Sequence, residues 1–315
     1  MIRFVLIFLL ILTSGYAKIE LEEINSKPSS RAKDFMIWQY LKQNITPNQA
    51  DEAYAQVRNK KNRKILYRYV KKTKNKHIKY KISCKNRSNL LKIKKTECLE
   101  LAFSPYKAAK LTNKKREKLI KKLKSQSKIN ILKILNEKHE QNAYRKYDAG
   151  TILTLFDSTG YKYRKKYLNI YLDKELVDSI ASSWRVSRFI KRVVNDDKFD
   201  KLQLSLLNMD GQKLNSKSNF FLALNHLRHL DKYSAIKYFK LSRLKAKFRI
   251  NVDKNNFWLY KTTQDKSYLK ILLKSTDINI YTLYAREKMN VNFNNYFSKL
   301  DTNKKISKKK FIESI

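Results

Sequence analysis

Apolar residues recur every three or four positions along most of this chain, and that spacing predicts amphipathic helices rather than strands. The stretch 174–194 is a representative case. Its apolar face consists of Leu176, Val177, Ile180, Trp184, Ser187 and Val194. The cations among the remaining positions are Arg185, Arg188, Lys191 and Arg192. We therefore expect one amphipathic helix over 174–194, with its cations on the polar side.

The second half of the chain carries this pattern in pairs. The segments 220–230 and 233–244 are separated only by Asp231 and Lys232, so the two helices must be antiparallel neighbours. Three further segments follow, at 257–262, 268–273 and 280–289. Short antiparallel helices in series, each burying its apolar face against the next, are typical of an α-solenoid. The predicted fold class is all-α, a superhelical α-solenoid of the TPR-like kind, although no regular repeat period is visible.

The residues that break and start helices agree with this prediction. The chain has only 4 glycines and 3 prolines in 315 residues, which leaves few positions for tight hairpins. Thr46, Pro47 and Gln49 stand where an N-cap, a first helical proline and a capping-box partner would stand. Two more helices are expected to open in the same manner, at Ser104-Pro105 and at Thr112.

The first 17 residues have the form of a secretory signal peptide. Arg3 supplies a cationic start, residues 4–12 are an unbroken apolar run, and Gly15 and Ala17 form a small-x-small cleavage site. Cleavage after Ala17 would begin the mature chain at Lys18 and send it to the periplasm. An uncleaved amphiphilic anchor is the alternative. No later segment approaches the ~18 consecutive apolar residues of a membrane helix, so we expect no stable membrane span.

The rest of the chain is long enough for one large or two ordinary domains. We expect an N-terminal helical region over 18–145 and a helical superhelix over 146–300. A polar stretch at 141–148 marks the soft boundary between them. Residues 301–315 contain a lysine run and are expected to form a basic tail or linker.

Charge points to polyanions as partners. The chain has 71 Lys and Arg residues against 27 Asp and Glu, a formal net charge of +44. Nucleic acid, anionic lipid headgroups and the carboxylate-bearing peptides of a cell wall would all be attracted. The export signal argues against nucleic acid. Lys, Asn, Ile and Tyr are overused together, so an AT-biased codon composition is an alternative source of part of the charge.

The chain has two cysteines, Cys84 and Cys98, which flank a lysine-rich stretch. An even number of cysteines in a chain predicted to reach an oxidising compartment favours a disulfide. We expect a disulfide between them. Metal binding is the weaker alternative, because no second pair of ligands stands at zinc-like spacing.

Sites for cofactors and catalysis are not visible in the sequence. After residue 17 the only glycines are Gly150, Gly160 and Gly211, too few for a P-loop or a dinucleotide fingerprint. His226 and His229 stand three apart on a predicted helix, but neither an HExxH motif nor an acidic third ligand accompanies them. We therefore assign no catalytic, metal or cofactor-binding residue. A Ser-His-Asp arrangement or a pair of acidic residues stays open, because many can be drawn from this sequence.

Both ends of the chain resemble the superhelical region of soluble lytic murein transglycosylases. The closing helices of that region carry an FW pair, a YL-x-x-L helix and a Tyr-rich helix with an Ala. The matching residues here are Phe257, Trp258, Tyr268, Leu269, Tyr281, Tyr284 and Ala285. Residues 32–41, leading into Thr46 and Pro47, are similar to the opening of the region. Met289-Asn290 stands where a Leu-Gly turn is usual in the family.

The resemblance implies a U-shaped or ring-like helical scaffold. In the family this scaffold lies beside a lysozyme-like domain, which cleaves the glycan between N-acetylmuramic acid and N-acetylglucosamine and leaves a 1,6-anhydro product. The family's catalytic Glu sits in a Glu-Ser motif with Gly-Leu-Met-Gln downstream. Glu313-Ser314 lacks that second motif, so no catalytic residue is transferred and we expect this chain to correspond to the scaffold part.

Three functions are compatible with the sequence. We expect first a periplasmic scaffold that binds peptidoglycan through its cations, with a separately encoded catalytic domain as a second partner. The alternatives are a helical adaptor that binds another envelope protein, and an active wall hydrolase whose site is not recognisable.

Overall fold

The structure is a computed structural model, and it describes residues 18–137 and 144–292. Across those residues the chain is all-α, with nineteen α-helices and no strand. This confirms the predicted fold class, whereas the superhelical course of the helices stays a prediction. Three predictions fall wholly or partly outside the described residues. They are signal cleavage at Ala17, the tail over 301–315 and part of the boundary at 141–148.

The contacts divide the described chain into two compact units. The first comprises residues 18–103 and 117–125, and the second comprises 104–116, 126–137 and 144–292. The sequence placed a soft boundary later, at 141–148. Within the described residues no helix has both the length and the apolar character needed to cross a bilayer.

Short helices make up the first unit. They are α1 (Leu21–Ser26), α2 (Arg31–Tyr40), α3 (Pro47–Ala55), α4 (Arg63–Thr73), α5 (Lys76–Asn86) and α6 (Thr96–Ala102). The capping box at the start of α3 is confirmed, because the Thr46 hydroxyl accepts from Gln49 N and the Gln49 side chain accepts from Thr46 N. A disulfide bond joins Cys84 on α5 to Cys98 on α6, with 5.1 Å between their Cα atoms.

The core of the first unit is held by a buried carboxylate as well as by apolar packing. Ile24, Ile37 and Ile65 come from three different helices and are almost wholly buried. Asp34, buried on α2, accepts hydrogen bonds from the backbone N–H groups of Arg58 (2.8 Å) and Asn59 (3.3 Å). Its carboxylate therefore anchors the connection that leads into α4.

The second unit begins with helices α7 to α14. They are α7 (Pro105–Ala108), α9 (Gln126–Asn136), α10 (Ala149–Ser158), α11 (Tyr161–Tyr163), α12 (Lys174–Ala181), α13 (Val186–Val194) and α14 (Asp200–Leu206). The remaining helix in this order, α8 (Asn113–Ile120), has its residues divided between the two units. Phe156 of α10 packs edge-on against Phe189 of α13, with 4.9 Å between the ring centroids. Both rings are buried, so this contact holds the inner face of α13 against α10.

The last five helices pack one on the next in chain order. They are α15 (Ser216–Arg228), α16 (Lys232–Leu244), α17 (Arg249–Thr263), α18 (Ser267–Leu273) and α19 (Ile280–Lys288). The predicted pair α15 and α16 is confirmed, as are the three helices after it. Three of these helices begin at an Asn or Asp N-cap, whose side chain accepts hydrogen bonds from N–H groups of the first turn. The caps are Asn215 for α15, Asp231 for α16 and Asn279 for α19.

The prediction of one helix over 174–194 is wrong. The chain forms α12 and α13 with a turn at residues 182–185 between them. Ser183 causes this break locally, because its carbonyl accepts from Val186 N (3.0 Å) and its hydroxyl from Arg185 N (3.4 Å). The turn moves Trp184 off the apolar face, and its side chain is 82% exposed.

Candidate cationic groove

The residues of the family-like motif lie in one core cluster, with one exception. Leu269 and Ala285 are fully buried, and the Phe257 ring lies 5.0 Å from that of Tyr284 and 5.4 Å from that of Tyr281. Tyr268 packs against the same cluster. Trp258 instead lies between α15 and α16, stacked 5.9 Å from Phe239. These side chains stabilise the packing of α17, α18 and α19 and do not form an open site.

Of the two histidines singled out by the sequence, His226 lies on α15 and is a packing residue, whereas His229 is the residue just after the helix. His226 is buried, stacks on Tyr238 with 4.8 Å between ring centroids, and places Nδ1 3.0 Å from Asp231 Oδ2. Burial lowers the pKa of His226 more than Asp231 raises it, so the ring is neutral near neutral pH. No group of three or more His, Cys, Asp or Glu side chains within the described ranges is arranged to hold a metal ion.

The candidate site is a groove beside α13, which we call the cationic groove. Its lining residues are Trp184, Arg185, Ser187, Arg188, Lys191, Arg192, Asn195, Asp196 and Lys217. Arg188, Lys191, Arg192 and Asn195 follow the i, i+3, i+4, i+7 spacing that puts side chains on one helix face. Lys217 comes from α15, which packs on α13. The groove therefore collects five cations on a surface formed by two helices and one turn.

Asp157 at the end of α10 fixes two of these cations. Its carboxylate lies 2.6 Å from Nη1 of Arg192 and 3.4 Å from Nη1 of Arg188. The Asp157 side chain is largely buried, whereas that of Arg188 is exposed and that of Arg192 is partly exposed. One carboxylate thus orients two guanidinium groups and leaves them an excess of positive charge.

Trp184 and Arg185 form the exposed end of the groove. The Arg185 guanidinium lies 4.8 Å from the centre of the Trp184 ring and also donates to the Thr154 hydroxyl of α10. Arg185 is therefore fixed, and the indole beside it is open to solvent. The buried Ser187 hydroxyl within the groove has no hydrogen-bond partner among the residues that the structure describes.

Two lysines near the groove pack on aromatic rings of α15. Lys191 Nζ lies 6.0 Å from the Phe221 ring centre and Lys254 Nζ lies 4.0 Å from that of Phe220. Burial, with a smaller contribution from the charge of Lys217, lowers the pKa of Lys254. An anion near Lys217 would relieve this repulsion between cations.

This arrangement suits a ligand that is both sugar-like and acidic. An open indole offers a flat apolar face, and guanidinium groups bind carboxylates with paired hydrogen bonds. Asn195, which is exposed, adds a neutral hydrogen-bonding group.

A general acid for glycan cleavage would need a raised carboxyl pKa. The displaced carboxyl pKa values in the described part are all lowered, mainly by hydrogen bonds. They belong to Glu137, Asp148, Asp200, Asp231 and Asp265. None of these five carboxyl groups has the property of a general acid.

Sequence reasoning noted the groove's cations but missed the groove. It placed them on the solvated face of one long helix and Trp184 on the buried face. The serine pair Ser182-Ser183 before Trp184 was the available signal, because serine side chains compete for backbone hydrogen bonds and favour helix ends.

We compared the chain with protein-family models and with curated proteins, and neither comparison gave a match. The resemblance to lytic transglycosylases therefore stays a prediction.

Proposed function

We propose that this protein is a periplasmic, peptidoglycan-associated helical scaffold, similar in role to the non-catalytic part of a soluble lytic murein transglycosylase. The observation that carries the proposal is Trp184, 82% exposed and flanked by Arg185 and Arg188 in the cationic groove. Large aromatic side chains are usually buried, so an open indole among fixed cations favours a binding role.

The ligand chemistry that fits the groove is that of wall glycopeptides. A sugar ring presents C–H groups that can pack on the indole of Trp184. The carboxylates of the wall peptide would pair with Arg188 and Lys191, which extend beyond the turn that holds Trp184. Because most of these cations are solvent-accessible, each contact is weak and screened by salt, and affinity depends on several contacts together.

Binding to purified sacculi tests this proposal. The folded protein should pellet with sacculi at low salt and be released as salt increases. Trp184→Ala should weaken the binding by about tenfold, the loss expected for one aromatic contact. Tyr171→Ala is the matched control, because Tyr171 is also exposed and lies 5.7 Å from a lysine ammonium, that of Lys201, outside the groove. Equal binding by both variants and wild type would contradict the proposal.

The hydrolase alternative has its own test. Incubation of the protein with sacculi, followed by mass spectrometry of the supernatant, would detect 1,6-anhydro muropeptides against a buffer blank. A scaffold releases none. Release by wild type would show that the chain has a catalytic site and that the scaffold role is incomplete.

A further inference from the structure

The outward side of α16 carries large apolar side chains that nothing within the described residues covers. Tyr233 and Leu244 are 84% and 81% exposed, and Phe248, just after the helix, is 70% exposed. Ile236 and Leu241 lie in the same shallow surface groove as Tyr233 and Leu244. We call these five residues the outer strip of α16. It uses none of the residues of the cationic groove.

The opposite side of α16 is an ordinary packed helix face. Ala235, Tyr238, Phe239 and Ser242 are buried, and α16 packs there against α15 and α17. The helix is therefore apolar on two sides, although one buried side is sufficient to hold it in the fold. Large apolar side chains exposed together on one side of a helix often mark an interaction site.

The charges that α16 and the corner after it carry are all positive. From residue 232 to residue 252 the chain has seven Lys or Arg residues and no Asp or Glu. Lys237 and Lys240 are exposed among the apolar residues of the strip and line the same surface groove. Their long side chains can lie along an apolar surface while the ammonium groups reach outward.

The corner after α16 is rigidly held, which keeps Phe248 in place. Lys245 Nζ donates to the carbonyl oxygens of Gly211 (3.2 Å) and Leu214 (2.8 Å). Arg249, at the start of α17, places Nε 3.0 Å from the Ser275 hydroxyl and 3.3 Å from Asp253 Oδ1. Two of the seven cations thus hold the corner, and Phe248, which lies between them in sequence, stays exposed.

We propose that the outer strip of α16 docks on an anionic lipid membrane surface, with the helix lying in the plane of the headgroups. Exposed apolar side chains of such helices enter the boundary between headgroups and acyl chains, while lysines pair with anionic headgroups. A second copy of this chain fits less well, because the seven cations of residues 232–252 would repel their counterparts on the other copy. The membrane contact goes beyond wall binding and would place the scaffold between a membrane and the wall.

Vesicle flotation tests the proposal without any wall material, so the result is independent of the cationic groove. Two vesicle types are used, phosphatidylcholine alone and phosphatidylcholine mixed with phosphatidylglycerol. Wild type should bind only the anionic vesicles, and Leu244→Ser/Phe248→Ser should bind them at least about tenfold more weakly, because two inserted side chains are lost. Phe35→Ser is the matched control, since Phe35 is an exposed phenylalanine of the first unit.

Thermal unfolding of the double variant checks that it is folded, as expected for substitutions at exposed positions. Binding of both variants at the wild-type level would attribute vesicle binding to overall charge and overturn the proposal. A wild-type dimer that the double variant dissolves, seen by sedimentation velocity, would assign the strip to a second copy instead. If the wild type binds polyglutamate but not vesicles, and the double variant loses the polyglutamate binding, the outer strip of α16 would be assigned to an acidic protein partner instead.

Discussion

The carboxylate of Asp157 lies 2.6 Å from the guanidinium group of Arg192, where α10 packs against α13. The same carboxylate lies 3.4 Å from Arg188. One largely buried acidic side chain therefore links the core of the second unit to the cations of its surface groove. This link orients two of the five cations of the groove.

Asp157→Asn should lower the free energy of unfolding by about 1–2 kcal/mol, because the charge-assisted bonds to Arg188 and Arg192 are weakened. The partial exposure of both arginines keeps the cost below that of a buried ion pair. Chemical denaturation measures the change. Asp178→Asn is the control, since the pair of Asp178 with Lys174 is exposed, and it should leave stability unchanged. An equal loss in both variants would contradict a special role for Asp157.

The buried carboxylate of Asp253 should be far more sensitive. It is fully buried on α17 and accepts from the Ser275 hydroxyl (2.7 Å) and from Asn279 Nδ2 (2.9 Å). Asp253→Ala would leave Asn279 and Arg249 without this partner, and we expect a loss of about 3 kcal/mol. Hydrogen exchange should show the loss first in α18 and α19.

Asp277→Ala is the control for that experiment, because Asp277 is an exposed carboxyl group in the connection 274–279 between α18 and α19, which also contains Ser275 and Asn279. Unfolding free energies that agree for the two variants would show that Asp253 does not organise this end of the chain.

The disulfide should stabilise the first unit. Cys84 and Cys98 are 14 residues apart, and closing such a loop stabilises by roughly 3 kcal/mol in the chain-entropy model. Reducing agent should therefore lower the denaturation midpoint of the wild type. The variant Cys84→Ser/Cys98→Ser should have this lower denaturation midpoint without reductant, and adding reductant should not change it. A denaturation midpoint of the wild type that is the same with and without reductant would contradict this account of the disulfide.

His226 should make stability depend on pH in a defined direction. Burial, opposed by Asp231 and assisted by His229 and Lys237, lowers its pKa below the ordinary 6.5. As the pH falls, His226 is therefore protonated at a higher pH in the unfolded chain than in the folded one. Its contribution to the free energy of unfolding is fully present above pH 6.5 and is lost as the pH drops towards the folded-state pKa.

Unfolding curves on both sides of pH 6.5 measure this dependence. His226→Gln should have a flatter profile than wild type, whereas His77→Gln should not, because His77 is exposed. A wild-type profile that rises as the pH falls through this range would contradict the assignment.

Much of the fold could be predicted because its signals are local. The capping box at Thr46 and the short turn between α15 and α16, at residues 229–231, are set by residues adjacent in sequence. The periodicity of apolar residues and the identity of the capping residues were therefore sufficient to place those helices.

The groove and the buried polar residues could not be predicted, because they depend on contacts distant in sequence. Asp157 and Arg192 are 35 residues apart, and Asp253 and Asn279 are 26 apart. Trp184 was misplaced because a periodic pattern continued across a turn that serine hydrogen bonds create. Periodicity indicates which face a helix would bury but not where the helix stops.

Titration with a soluble wall fragment tests the central claim most directly. A disaccharide-peptide with free carboxylates and its amidated, neutral counterpart are titrated calorimetrically into wild type and Arg188→Ala/Lys191→Ala. If the cationic groove recognises acidic glycopeptides, wild type binds the free acid at least about tenfold more tightly than the amide, and the variant loses that preference. Equal affinity of wild type for both fragments, or an unchanged preference in the variant, would contradict the account.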